Sequence, residues 1–268
     1  MDPLIPPEID KHYSELYDES ARLGSDGLSR IELIRTKEII ERYLPSTSAD
    51  VLDIGGGPGV YSVWLSELGH RPTLIDPVEL HVEQALEAGV AAAMAGVAAS
   101  LDLADDSFDL ALMLGPLYHL QERADRMDAL HEARRVLRPG GRIIVAGITR
   151  YASAIDGFDS GFIDHEEFER IVHVDLATGK HSNNTGDARF FTTAYFHRPD
   201  ELVDELESSG FADVEILAVE GVSWAARDLE ERLDEPDKLR AVLDLLRRLE
   251  SAPSLLGATP HFIAIGRA

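Results

Sequence analysis

Short apolar runs alternate with amphipathic segments along most of this chain. Seven of these runs predict strands, at residues 51–54, 72–76, 92–97, 109–114, 142–148, 214–219 and 260–265. Apolar positions that recur at helical spacing predict helices at residues 12–44, 61–68, 79–87, 121–137, 199–209 and 224–249. The first helix is interrupted at residues 24–27 and the last at Pro236. This alternation predicts βαβ units in an α/β fold, with a parallel sheet and right-handed crossovers.

The alternation stops between residues 151 and 197, a stretch longer than an ordinary loop. It contains several histidine, asparagine and aromatic residues, and we expect an insertion with a small structure of its own that covers a substrate site. The rest of a single domain then consists of a helical N-terminal cap (1–45), a core (46–150) and a C-terminal part that completes the sheet (198–268).

Composition narrows the class of protein. The 268 residues are 44% hydrophobic, enough for a substantial core, and no apolar run is long enough to span a bilayer. Because no basic and apolar signal stands at the N-terminus, we expect a cytoplasmic protein. The absence of cysteine excludes disulfides and thiol catalysis. A net charge of −24 repels nucleic-acid phosphates and anionic membranes, so we expect neither as a partner.

A glycine-rich loop follows the first strand. Asp53 stands at the carboxyl end of that strand, and Gly55, Gly57 and Gly59 follow at alternate positions. Glycine lets the backbone approach a ligand closely, and a strand, a loop and a helix in this order form nucleotide sites in open α/β sheets. The N–H groups of the loop and of the helix N-terminus favour an anionic group. The carboxylate of Asp53 instead suits a cationic or hydroxyl-rich part of a ligand.

This loop resembles motif I of the class I S-adenosylmethionine-dependent methyltransferases, because the spacing G-x-G-x-G follows an acidic residue. The dinucleotide fingerprint, G-x-G-x-x-G, is spaced differently. The resemblance implies a Rossmann-like methyltransferase fold. Such a fold has a seven-stranded, mostly parallel sheet with helices on both faces, and its last strand enters antiparallel between the fifth and the sixth. The resemblance also implies S-adenosylmethionine as cofactor and S-adenosylhomocysteine as product.

Asp76 ends the second strand, 23 positions beyond Asp53. A carboxylate at this place accepts hydrogen bonds from the ribose hydroxyls of a nucleoside ligand. The same position serves nicotinamide cofactors, so Asp76 by itself leaves the cofactor open. A simple strand-end turn is the other interpretation, since aspartate and the proline that follows it favour turns.

The adenine site departs from the family pattern. In these methyltransferases an acidic residue after the third strand commonly binds the adenine amino group. This chain has Val97 and Ser100 at the corresponding positions. We therefore expect backbone groups around Ala98 and Ala99, or a shifted Asp102, to recognise adenine.

The segment after the fourth strand resembles motif IV of the small-molecule methyltransferases. The resemblance implies that backbone near Leu114 holds the methionine part of the cofactor. It also implies that Tyr118 and His119 face the transferred methyl group or the substrate. Histidine accepts a proton near neutral pH, so His119 is a candidate base, with a structural role as the alternative.

Three further candidates lie outside these motifs. Arg35, on the N-terminal helix, is expected to pair with the carboxylate of the cofactor, unless it is a surface charge. Tyr195 and His197 belong to an aromatic segment before a helix start, and we expect them to line the substrate pocket, with His197 as a second candidate base. The histidines of the insertion lack metal-ligand spacing, so we predict no metal site.

These residues together predict a methyltransferase that moves a methyl group to an oxygen or nitrogen of a small metabolite or natural product by in-line displacement. An NAD-dependent oxidoreductase would share the loop and Asp76, but the glycine spacing differs and the chain contains no Tyr-x-x-x-Lys pair. A regulatory protein that binds S-adenosylmethionine without catalysis is the other alternative. The sequence leaves open the acceptor and the oligomeric state, monomer or homodimer.

Overall fold

The computed structural model describes Ile5, Ile9, Tyr13 and residues 22–185, 187 and 189–268. Apart from those three single residues, the extended segment predicted at 1–12 and the first part of the helix predicted for 12–44 lie outside the described residues. The whole of the central sheet falls within the described part of the chain.

The strands form one large sheet and one small ladder. In chain order the described strands are β1 (Asp50–Ile54), β2 (Arg71–Asp76), β3 (Ala92–Ala95), β4 (Phe108–Met113), β5 (Leu137–Ile148), β6 (Lys180–His181), β7 (Ala194–Tyr195), β8 (Ala212–Ala218) and β9 (His261–Arg267). The large sheet has the order β3-β2-β1-β4-β5-β9-β8, and β6 pairs with β7. Strands β1 to β5 are parallel, whereas β9 is antiparallel to both β5 and β8. The predicted α/β class, the seven strands and the position of the last strand are confirmed.

The helices alternate with the strands of the core. In chain order the described α-helices are α1 (Gly27–Tyr43), α2 (Val60–Glu67), α3 (Glu79–Glu87), α4 (Pro116–His119), α5 (Arg123–Val136), α6 (Ala152–Asp159), α7 (Glu166–Thr178), α8 (Pro199–Ser208), α9 (Leu229–Leu233) and α10 (Pro236–Leu249). Helices α6 and α7 and the β6–β7 ladder belong to the stretch at 151–197. Among the helices that the structure describes, we find no apolar segment of bilayer-spanning length.

Both faces of the sheet are apolar, and helices cover each face. Leu52 of β1 lies in one core with Leu130 of α5 and Leu202 of α8. Val51, the residue before Leu52, lies in the other core with Ile40 of α1. Successive side chains of a strand point to opposite faces, so a strand covered on both sides is apolar at nearly every position. Polar side chains are therefore concentrated at the strand ends, where the candidate site lies.

Two predicted elements differ substantially from the structure. Strand β5 begins at Leu137 and not at residue 142, because Leu137 pairs with Phe108 of β4 across an irregularity in register. The helix predicted for 224–249 is in three pieces, a 3₁₀ turn at Ser223–Ala225 followed by α9 and α10. Pro236 occupies the first turn of α10, where its missing N–H has no intrahelical acceptor to lose, so it begins a helix there.

Arg35 does not point towards a ligand. Its side chain is fully buried on α1, where Nη1 donates to Glu38 at 2.7 Å and Nη2 donates to Glu250. Glu250 follows α10, so the pair joins the N-terminal helix to the C-terminal part of the chain. This placement corrects the predicted role of Arg35 in cofactor binding, since both terminal nitrogens are already bound to carboxylates.

Replacing Arg35 with methionine is expected to lower the free energy of unfolding by about 3 kcal/mol, because breaking a buried ion pair leaves its carboxylates partly unpaired. The Arg30→Met variant is the control, since Arg30 lies on the same helix in a more exposed pair with Asp234 at 2.9 Å and should cost less than about 1 kcal/mol. Urea denaturation measures both. Weaker binding of S-adenosylhomocysteine by Arg35→Met at unchanged stability would contradict this assignment.

Candidate functional site

A cavity of about 330 Å³ opens where the carboxyl ends of the parallel strands meet. The strand order reverses direction between β1 and β4, and ligands of open α/β sheets bind in the crevice at such a reversal. The predicted positions that line this cavity are Asp53, Gly55, Gly57, Asp76, Ala98, Ala99, Leu114, Tyr118 and His119. The structure therefore brings together most of the residues that the motifs indicated, while Asp102 does not line the cavity.

The glycine loop is held close to two neighbouring segments. Gly55 has a φ of +67°, and a Cβ on it would lie 2.2 Å from Cγ of Pro116. Its N–H donates to the carbonyl of Ile75 at 2.6 Å, and the N–H of Gly57 donates to Asp76 at 2.9 Å. No side chain fits at Gly55, so the loop backbone itself forms the floor of the cavity.

Gly59 is the last glycine of the loop and does not line the cavity. It has a φ of +89° and is the N-cap of α2. A Cβ at this position would meet Val90 at 3.1 Å and Ala85 of α3 at 3.2 Å. Its contribution to ligand binding, predicted as direct, is therefore reduced to allowing α2 and α3 to pack closely.

Asp53 is almost completely buried at the end of β1, yet it reaches the cavity. Burial raises the pKa of its carboxyl to about 6, and the charge of Asp76 adds to the rise, against a hydrogen bond donated by Ser62 at 2.7 Å. A nearby cation would reverse this rise, because it favours the ionised carboxylate. The electrostatics of Asp53 thus favour a ligand that brings positive charge.

Asp76 organises the end of β2. One carboxylate oxygen accepts from the N–H of Gly57 at 2.9 Å, and the other accepts from the N–H of Val78 at 2.9 Å and is 3.1 Å from Nδ1 of His81. Each carboxylate oxygen has two lone pairs, so acceptor capacity is left for a ligand hydroxyl. Asp76 is therefore both the support of the glycine loop and a candidate ribose acceptor.

His119, at the end of α4, has a defined tautomer. Its Nδ1 is 3.2 Å from the carbonyl oxygen of Thr193, which can only accept, so Nδ1 carries the proton of the neutral ring. Nε2 is then the acceptor, and it is 2.8 Å from the hydroxyl of Tyr13. The basic nitrogen of His119 thus faces a phenolic hydroxyl inside the cavity, the orientation that a general base requires.

His197 and Tyr195 lie elsewhere, which corrects their predicted place in the substrate pocket. His197 is fully buried and its Nε2 is 3.2 Å from Glu205, while Nδ1 is a buried atom without a partner in the described part of the chain. Burial lowers the pKa of this imidazole, although Glu205 opposes the shift. Tyr195 instead stacks on the guanidinium of Arg126, whose Cζ is 3.7 Å from the ring centre, beside a separate cavity. The structure therefore removes His197 as a candidate base.

A polar cluster at another part of the cavity belongs to none of the sequence motifs. Nδ1 of His261, the first residue of β9, is 2.6 Å from Glu220. Arg22 donates to Glu32 at 2.6 and 3.0 Å. One carboxylate oxygen each of Glu32 and Glu220 and one ring nitrogen of His261, atoms of the kind that can bind a metal ion, all lie within 4.8 Å of one another. Because His261 and Glu220 are at hydrogen-bond distance and Arg22 already occupies Glu32, we assign a network of paired charges rather than a metal site.

Residues 52–145 match the family described as a methyltransferase domain. This part of the chain is therefore a methyltransferase domain, and its fold is that of S-adenosylmethionine-dependent methyltransferases. An uncharacterized methyltransferase of Mycobacterium tuberculosis is 34% identical over 115 residues, which are 42% of this chain and 45% of that protein. The O-methyltransferase resE of Aspergillus sclerotiorum is 32% identical over 121 residues, with the same shares of the two chains. The match thus spans less than half the length of these relatives.

Solved structures share the fold of this methyltransferase domain over nearly the whole chain. The structure of a methyltransferase from Thermotoga maritima, described as a possible histamine N-methyltransferase, has a TM-score of 0.54 at 21% identity. It covers 90% of this chain and 91% of its own. At this identity the likeness concerns the fold.

The cofactor of this methyltransferase domain is S-adenosylmethionine, and the family match removes the nicotinamide alternative that Asp76 left open. The residues present fit this cofactor. The loop at Gly55 leaves room only for backbone, the carboxylate of Asp76 faces the cavity where ribose hydroxyls would bind, and Asp53 suits the ammonium group of the amino-acid part. Ala98 and Ala99 line the same cavity after β3, where adenine would lie.

The affinity for S-adenosylhomocysteine is expected to depend on pH through Asp53. Its raised pKa of about 6 means that the carboxylate must lose a proton before it can pair with the ligand ammonium. Affinity should therefore rise by up to about tenfold per pH unit below pH 6 and level off above it. Titration calorimetry measures this profile. The Asp53→Asn variant should bind weakly with a flatter profile, and a flat profile in the unaltered protein would contradict the assignment.

The Gly55→Ala variant is expected to weaken binding of S-adenosylhomocysteine by at least about tenfold, because its Cβ would overlap Pro116 and displace the loop. Gly69→Ala is a matched control. Gly69 also has a positive φ, +87°, but nothing lies within 4 Å of its Cβ position. It should lose some stability to backbone strain and keep its ligand affinity. Equal effects of the two variants on affinity would exclude the close approach as the cause.

Proposed function

We propose that this chain transfers the methyl group of S-adenosylmethionine to an oxygen or nitrogen of a small, largely apolar acceptor. The observation that carries the proposal is the pairing of His119 with Tyr13 in the cavity that the glycine loop also lines. A nitrogen base that faces a hydroxyl is the arrangement that a hydroxylated acceptor needs. The net charge of −24 favours a small molecule over a nucleic acid as the acceptor.

The lining of the cavity supports an apolar acceptor. Aliphatic side chains from several elements contribute to it beyond the glycine loop: Ile5, Ile9, Leu23, Ala146, Val219 and Ile263. Ligand pockets of this kind obtain affinity from apolar contact and orientation from a few polar groups. Here the polar groups are His119 and Tyr13 and the cluster around His261.

The chain's own contribution to the reaction is mainly positioning. The bound cofactor supplies a methyl group that is already electrophilic, because it is attached to a positively charged sulfur. The protein holds the acceptor atom in line with the carbon–sulfur bond, and such alignment accounts for much of the rate of a two-substrate reaction. No covalent intermediate with the protein is required.

Proton removal is the task of His119 when the acceptor is a hydroxyl. The bound cofactor would supply the methyl group, with the electrons of the carbon–sulfur bond staying on sulfur as the acceptor oxygen bonds to the methyl carbon, and the hydroxyl proton would pass to Nε2 of His119. Tyr13 holds that position in the structure, so the acceptor displaces Tyr13 or passes its proton through the phenol. A neutral amine reacts first and loses its proton afterwards by the same route.

The relatives support both kinds of acceptor atom. The match to resE, named as an O-methyltransferase, is one of sequence and covers 42% of this chain. The match to the possible histamine N-methyltransferase concerns the fold. We place oxygen first, because a base oriented towards a hydroxyl has its clearest use with an oxygen acceptor.

We also propose that the insertion at 151–197 covers the acceptor site. The carbonyl of Thr193, in this insertion, orients the ring of His119. The ring centres of Phe191 and His119 are 6.1 Å apart. Gln121, next to the α4 segment, donates to the carbonyls of His181 at 2.6 Å and Ala194 at 3.1 Å. The insertion is thus tied directly to the segment that carries the candidate base.

The His119→Gln variant should bind S-adenosylhomocysteine as the unaltered protein does and turn over a phenolic acceptor about a hundredfold more slowly, because proton transfer by a positioned base contributes on that order. S-adenosylhomocysteine formation, measured across a panel of phenols, aliphatic alcohols and amines, first identifies an acceptor. The Tyr13→Phe variant separates relay from displacement, since only a relay needs the phenol.

Two outcomes would contradict the proposal. Full activity of His119→Gln with a phenol would remove His119 as the base. Binding of S-adenosylmethionine without turnover of any member of the panel would instead favour a regulatory protein that binds the cofactor.

A further inference from the structure

The cluster around His261 lies far from the nucleoside part of the cavity. Asp76 ends β2, whereas His261 begins β9, which is separated from β1 by β4 and β5. Neighbouring strands are about 4.8 Å apart, so three strand spacings put β9 about 14 Å from β1. Because β9 is antiparallel, its first residue falls at the same edge as the carboxyl ends of the parallel strands. His261 therefore lines the cavity on the side away from the adenosine site.

Glu220 fixes the orientation of His261. This carboxylate is 2% exposed and accepts from the His261 backbone N–H at 3.0 Å and from the hydroxyl of Thr259 at 3.0 Å. It is also 2.6 Å from Nδ1 of His261 and can only accept, so Nδ1–H donates to it. The contacts that the structure describes use only this nitrogen of the ring, and Nε2 is left to the cavity, where the side chain is 26% exposed.

The charges around the ring are balanced. Glu220 and Glu32 are the carboxylates that face His261, and Arg22, paired with Glu32, is the cation beyond them. Two carboxylates within 4.8 Å repel each other unless cations lie beside them, and an imidazolium at His261 together with Arg22 supplies two positive charges for two negative ones. Burial alone would lower the pKa of His261, but Glu220 and Glu32 outweigh it and raise the pKa to about 9.

We propose that His261 is a specificity-determining residue, whose Nε2–H donates a hydrogen bond to a neutral oxygen, a carbonyl or a hydroxyl, of the methyl acceptor. A charged group on the acceptor would add an uncompensated charge beside this balanced network, in a mainly apolar cavity. A neutral oxygen would add none. Glu220 is the positioning residue that holds the ring. The inference rests on the proposed function, since it describes how that same site selects its acceptor.

A matched series of naphthalene probes tests this inference on the complex with S-adenosylhomocysteine. The three probes are naphthyl methyl ketone, naphthoate and naphthylmethylammonium, which carry a neutral, an anionic and a cationic group on the same ring system. Titration calorimetry near pH 7 should show the tightest binding for the ketone. The His261→Leu variant should weaken ketone binding by about ten- to a hundredfold, the range for a hydrogen bond from a charged donor. His131→Leu, at an exposed position on α5, should leave it unchanged.

The pH profile separates a hydrogen-bond donor from a merely structural histidine. A ketone only accepts, so its affinity should fall as the pH rises through about 9 and the ring of His261 loses its proton. In Glu220→Gln the fall should occur at lower pH, because the carboxylate that raises the pKa is gone. Binding of S-adenosylhomocysteine should be the same in all these variants.

Three results would overturn the inference. They are unchanged ketone affinity in His261→Leu, tightest binding of either charged probe, and no saturable binding of the ketone to the unaltered complex. Failure of the proposed function appears separately, as loss of S-adenosylhomocysteine binding or as an absence of turnover across the acceptor panel.

Discussion

The close approach of the glycine loop to α4 is the constraint on which the site depends. A Cβ at Gly55 would lie 2.2 Å from Pro116. The backbone that follows β1 is therefore in direct contact with the side chain of the first residue of α4. Because α4 also carries Tyr118 and His119, this contact sets the distance from the loop to the candidate base. The N–H of Gly57, bound to Asp76, fixes the other side of the loop to β2. The glycine loop thus connects the candidate cofactor-binding residues to the candidate base.

The two halves of the cavity are built differently. The half proposed to hold the cofactor comes from the ends of adjacent parallel strands, and their register places Asp53 and Asp76 without help from distant parts of the chain. The other half combines Tyr13, Glu32 of α1 and His261 of β9 with the insertion that orients His119. Such a division lets the acceptor site change while the cofactor site stays constant, as expected for a fold that hosts many reactions.

The same division explains what the sequence could predict. The positions of Asp53, Asp76, Gly55 and Gly57 beside the cavity could be predicted, because each follows directly from a strand end and a spacing. Tyr13 and Glu32 reach the cavity through packing between elements far apart in sequence, for which no local pattern exists. The predicted roles of His197 and Arg35 were wrong for a related reason. The sequence around a polar residue does not show whether its side chain faces a ligand or a buried carboxylate, and both residues contact a glutamate. One feature could have indicated that His261 lies near the cavity. An antiparallel last strand begins at the edge of the sheet where the carboxyl ends of the parallel strands lie.

The central claim is that one cavity positions the methyl donor on the glycine loop and presents its reactive end to His119. A crystal structure of the complex with S-adenosylhomocysteine tests it directly, because the sulfur marks the place from which the methyl group leaves. We expect the ribose at Asp76, the amino-acid part near Asp53 and the sulfur facing the side of the cavity lined by Tyr118 and His119. A sulfur turned away from His119, with the adenosine outside the cleft between β1 and β4, would contradict it.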